Sequence, residues 1–188
     1  MNTKEVKNNR NIEIEKMPNT SSFKKYLPNI VYGGSDGAVS YFTLMAGAYG
    51  AGMPIKMLIA IGVSNVAADA FSMASADYLS EDSKGKTNKK ESLKKAFATF
   101  ISFILLGCLP LAPTFYAFMT TSADSKLSLP IFLASTFMTF IGFTYIGYLR
   151  GTILRRPLFK TILQSAIICS TSAAVAYFIG EYVTKVLM

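Results

Sequence analysis

Four side chains able to bind a cation recur at every fourth position: Asp69, Met73, Asp77 and Glu81. On a helix that spacing places all four on one face. A fifth acid, Asp36, lies in an earlier stretch that reads Gly33-Gly34-Ser35-Asp36-Gly37. Carboxylates accompanied by a thioether suit a divalent first-row metal such as Fe²⁺ or Mn²⁺, whereas all-oxygen sites suit Mg²⁺ or Ca²⁺. The chain has no histidine, which disfavours a zinc site. It also leaves no nucleophile–base pair of the kind covalent catalysis needs, so the expectation is not an enzyme.

The segments that carry these residues are unusually apolar. Of 188 residues, 51% are hydrophobic, and the mean hydropathy is +0.35. The apolar residues gather in five blocks, over 30–52, 55–79, 96–119, 129–149 and 160–184. A helix needs about 20 residues to cross the hydrocarbon core of a bilayer. The runs do not alternate as barrel strands do, and lipid offers the backbone no hydrogen-bond partner outside a helix. The expected fold is therefore all-α, a polytopic membrane protein of five transmembrane helices over residues 30–188. The lysine- and asparagine-rich residues 1–29 are expected to form a disordered cytosolic tail without a signal-peptide pattern.

The net charge of +8 is not spread as nucleic-acid binding would require. Sixteen of the 19 lysines and arginines fall in residues 1–29, in the connection over 80–95 and after the fourth block. Cytosolic segments are the positively charged ones, so the N-terminus is expected in the cytosol and the C-terminus on the far side. Some of this charge would rest on anionic lipid headgroups. Cys108 and Cys169 both lie inside spans and read as small packing residues.

An aspartate at the centre of a span costs about 2.5–3.5 kcal/mol. With this topology Asp69 is the deepest acid, Glu81 marks the cytosolic mouth, and Asp36 sits at a depth between them. No lysine or arginine lies in the core of the first two spans, so protons or a bound cation must balance Asp36, Asp69 and Asp77. The bland alternative is protonated aspartates hydrogen-bonded across helices. Small residues, including Ala46-Gly47-Ala48 and Gly62, would let helices approach closely. Pro110 and Pro113 are expected to kink or break the third span.

Longer stretches of the sequence resemble a family. Tyr32-Gly33-Gly34-Ser35-Asp36-Gly37-Ala38-Val39-Ser40 looks like the first-span signature of the vacuolar iron transporter family (yeast Ccc1-type and plant nodulin-21-like proteins). Asn65-Val66-Ala67-Ala68-Asp69-Ala70-Phe71-Ser72-Met73-Ala74, continued by Ala76-Asp77-Tyr78, resembles its second-span signature, where the family generally has Glu in place of Asp77. Thr99-Phe100-Ile101-Ser102-Phe103 with Pro110-Leu111-Ala112-Pro113, and Ala173-Ala174-Val175-Ala176-Tyr177-Phe178-Ile179-Gly180, resemble its third and fifth spans. The resemblance implies a homodimer with an ion path between the first two spans of both chains. It also implies proton-coupled export of Fe²⁺, and often Mn²⁺, from the cytosol. It assigns the path to Asp36 and Met73, with Asp69 and Asp77 in support; the metal is then substrate, and no cofactor is expected. One departure is plain. Storing members carry a long Glu-rich cytosolic metal-binding domain between spans two and three. This chain has only the lysine-rich residues 80–95, with Glu81, Asp82 and Glu91 as its acids.

Rival readings are a structural or assembly membrane protein with the fold alone, and a cation channel. A CDP-alcohol phosphotransferase would need a further aspartate before Asp36-Gly37 and two aspartates four apart, where Asp69 and Asp77 are eight apart. The expected setting is a bacterial cytoplasmic membrane, or a vacuolar membrane in a eukaryote.

Overall fold

The computed structural model describes residues 20–85, 88–122, 124–154 and 157–187. They form five helices: α1 (Thr20–Gly50), α2 (Ile55–Ser83), α3 (Lys89–Thr120), α4 (Leu129–Leu154) and α5 (Leu158–Leu187). No strand occurs among the described residues. The all-α, polytopic expectation holds.

Helices α2 to α5 are long and apolar enough to cross a membrane, over Ile55–Ser83, Lys89–Thr120, Leu129–Gly151 and Ile162–Val186. Helix α1 has 31 residues but is not among them. Its centre carries three glycines, a serine and Asp36 in place of leucines. The reason lies in its position: α1 packs against each of the other four helices, most extensively α3. A helix wrapped by its neighbours does not need a lipid-facing surface. Tyr41, Met45, Ala38 and Ala46, all on α1, are at most 1% exposed.

The α1–α3 contact runs backbone to backbone. A Cβ at Gly33 would lie 2.3 Å from the Thr99 carbonyl oxygen, and one at Gly37 2.3 Å from that of Phe103. Two glycines four apart on α1 thus ride over two carbonyls four apart on α3. Only glycine permits that approach. Toward the other end of α1, Tyr49 stacks on Phe132 of α4 with centroids 4.7 Å apart.

Three boundaries differ from the sequence expectation. Helix α1 begins at Thr20 rather than near 30, because Leu27 and Asn29 are already buried against the bundle; residues 1–19 lie outside the described ones. Residues 80–95 form mostly helix: α2 runs to Ser83 and α3 starts at Lys89. Gly85, at φ +64°, turns the chain, and Asn88 caps α3 by accepting from the Lys90 amide at 3.1 Å. Finally, α3 is not broken at Pro110 or Pro113; both lie inside one 32-residue helix.

At the opposite end the α1–α2 turn is stapled to the α3–α4 connection. The Ile55 amide donates to the Ser125 carbonyl at 2.9 Å, Pro54 pairs with Lys126, and Lys56 forms an ion pair with Asp124. Helix α2 is therefore held at both ends. Along its length much of it is open, with Ala60, Ser64, Ala67, Ala68, Ser72 and Ala76 all exposed.

Candidate functional site

The spacing of four does put Asp69, Met73, Asp77 and Glu81 on one face of α2, and the structure divides that face in two. The half that carries Asp77 and Glu81 is engaged with α3. Glu81, only 7% exposed, accepts from Lys95 at 2.7 Å and pairs with Lys84. Asp77 Oδ2 accepts from the Thr99 hydroxyl at 2.5 Å and from the Asn29 amide at 2.6 Å. One carboxylate thereby joins α1, α2 and α3. The two α3 partners are themselves four apart, as an antiparallel hairpin dictates: each step along α2 is matched by one back along α3. Met73 is half-buried and packs against the apolar core.

The inner half is left with acids in need of partners. Asp69 accepts from its own helix, from Asn65 Nδ2 at 2.8 Å. Asp36, from α1, is exposed and close enough to Asp69 for the two charges to repel. Among the described residues no lysine or arginine forms a salt bridge with Asp36, Asp69 or Asp77. The surface beside them is the open, small-residue face of α2. Asp36 and Asp69 thus stand on the two adjoining helices α1 and α2, whereas Asp77 and Glu81 serve as ties within the bundle.

The sequence reading missed Asn29, Lys95 and Thr99. Asn29 fell in the stretch assigned to a tail. Lys95 looked like one more cytosolic lysine, and Thr99 like a neutral span residue. The signal was present in the register, since Lys95 and Thr99 repeat the spacing of Glu81 and Asp77 across a short hairpin. Among the described residues no three His, Cys, Asp or Glu side chains converge as a metal site within one chain. The pair Asp36 and Asp69 gives two carboxylates in this chain.

Helical fold and site define a polytopic integral membrane protein with uncompensated acids on two adjoining helices. The family is narrower than that class. The sequence model of the VIT family matches residues 27–93 and 83–181, and the chain belongs to that family. A protein named vacuolar iron transporter from Toxoplasma gondii is 39% identical over 66 residues, which is 35% of this chain and 21% of the relative. Vacuolar iron transporter 1 of rice (Oryza sativa subsp. japonica) is 21% identical over 220 aligned positions, covering 82% of this chain and 84% of the relative. The protein of the same name from Eucalyptus grandis is 29% identical over 98 residues, 52% of this chain and 36% of the relative.

Proposed function

We propose that this chain is a transporter of divalent transition metal, Fe²⁺ or Mn²⁺ or both, exporting it from the cytosol in exchange for protons as a homodimer. The observation that carries the reading is the Asp36–Asp69 pair: two acids on adjoining helices, free of any basic partner, beside an exposed face of small residues. Membership of the VIT family and the names of the relatives support metal as the cargo.

An exposed aspartate facing lipid is costly. A second copy placed against α1 and α2 relieves that cost and doubles the donors to two each of Asp36, Asp69 and Met73. Carboxylate oxygen and thioether sulphur together favour Fe²⁺ or Mn²⁺ over Mg²⁺ or Ca²⁺. Metal entering from the lysine-rich side displaces protons from the carboxylates, and protons from an acidic far side displace the metal. Exchange of two protons for one M²⁺ moves no net charge, so a pH gradient alone drives it. Asp77 acts by fixing α1, α2 and α3 around the path, and Glu81 closes the hairpin at its cytosolic mouth. The N-terminus lies in the cytosol in this scheme.

The test is uptake of Fe²⁺ and of Mn²⁺ into proteoliposomes with an acidic interior, beside Asp36→Ala and a collapsed gradient. Flux that needs both the gradient and Asp36 is expected. No flux of either metal through protein shown to be folded and dimeric overturns the proposal, and flux that follows voltage rather than pH makes the protein a channel.

A further inference from the structure

Helix α3 presents a stripe that the metal path does not use. Lys90, Lys94, Phe97 and Ile101 follow one another at spacings of four, three and four, so they share one face. Leu93 and Phe97 are each 62% exposed and form a ridge with a groove on either side. The groove toward α1 has a volume of about 670 Å³ and is lined by Tyr26, Ile30, Leu93, Lys94, Phe97 and Ala98. The groove toward α2, about 390 Å³, lies between the same ridge and Phe71, Leu79 and Phe100.

Both grooves are predominantly apolar, and Lys94 lines the one toward α1. The charges around that end are not equivalent. Glu91 pairs with Lys25 at 2.9 Å, and its hydrogen bonds hold both Lys25 and Tyr26 above their ordinary values. Glu81 is likewise occupied by Lys84 and Lys95. Both neighbouring acids are spent, while Lys90 and Lys94 make no salt bridge among the described residues. Two cations outside any salt bridge among the described residues therefore stand where the apolar run of α3 begins, and Lys94 itself lines the groove toward α1. A two-chained lipid with an anionic head has that form: acyl chains for the grooves and a phosphate for the ammonium groups.

We infer that the α3 ridge of Leu93 and Phe97, capped by Lys90 and Lys94, is a binding site for an anionic phospholipid of the leaflet on the lysine-rich side. The inference is independent of the transported ion.

The chain has no tryptophan, so Phe97→Trp introduces a single tryptophan, selectively excited over the tyrosines, at a position already exposed. The full-length variant is reconstituted in phosphatidylcholine vesicles containing brominated phosphatidylglycerol or, separately, brominated phosphatidylcholine, and quenching gives the relative binding constant. Phe178→Trp, on α5 and 65% exposed, reports the ordinary lipid annulus. About a fivefold preference for the anionic lipid per lysine is expected at position 97. It should be absent at position 178 and fall to unity in Phe97→Trp/Lys90→Gln/Lys94→Gln. Equal quenching by the two lipids, the same preference at both positions, or a preference that survives removal of the lysines overturns the proposal.

Discussion

The tie made by Asp77 yields a prediction that the geometry makes quantitative. Asp77→Ala leaves the Asn29 amide and the Thr99 hydroxyl without their acceptor; the two residues are 8% and 0% exposed. Hydrogen bonds to a charged group contribute about 1.5–3 kcal/mol each in soluble proteins, and across membrane helices about 0.6 on average and up to about 1.7. Thr99 retains a weaker acceptor, the Lys95 carbonyl at 3.3 Å, which limits the loss. Removing the aspartate also relieves the cost of keeping a carboxylate near lipid, so the single-variant figure mixes terms of opposite sign. A double-mutant cycle with Thr99→Val separates them. The expected coupling between Asp77 and Thr99 is about 1–1.5 kcal/mol, in the upper part of the membrane range because Thr99 is fully buried. Equilibrium unfolding in mixed micelles, followed by near-ultraviolet circular dichroism of the tyrosines, measures it. A coupling below about 0.3 kcal/mol, the usual error of additivity, would refute the tie.

Other perturbations separate path from scaffold. Asp36→Ala should reduce proton-driven metal flux at least tenfold without lowering stability, because it removes a costly exposed acid; flux assays and thermal unfolding of one preparation decide it. Gly37→Ala puts a methyl group against a backbone carbonyl that cannot rotate away, and should cost about 1–3 kcal/mol, read as a lower melting temperature. Lys95→Met leaves Glu81 buried with Lys84 alone. It should cost about 1–3 kcal/mol, less than the loss expected when a buried pair has no second partner, and Glu81→Gln in the same chain should recover part of it.

Much of this was legible from composition because lipid imposes strong rules. Five helices and their order follow from apolar runs that no soluble domain of this length would carry, although α1 falls short of the hydropathy of a span. Helix ends were less legible. Hydropathy marks where the hydrocarbon begins, not where a helix stops, and α1, α2 and α3 each continue past that point on buried residues such as Leu27 and Glu81. Helical spacing fixes which face of α2 the acidic stripe occupies but not what that face meets. Asp77 and Asp69 stand eight residues apart on the same side of α2; one meets a hydroxyl of α3 and an amide of α1, the other meets the open flank beside Asp36. Only a hairpin register, invisible to hydropathy, tells them apart.

The low hydropathy of α1 has a consequence for how the protein is made. Helix α1 leaves the ribosome first, yet with Gly33, Gly34, Asp36 and Gly37 at its centre it is the segment that a translocon has least reason to release into lipid. Its stability in the membrane comes from later segments, above all from the α3 carbonyls at Thr99 and Phe103 that its glycines meet. More than half of the chain must therefore be synthesised before the central helix has somewhere to rest. Its retention is a problem of assembly order rather than of insertion energy.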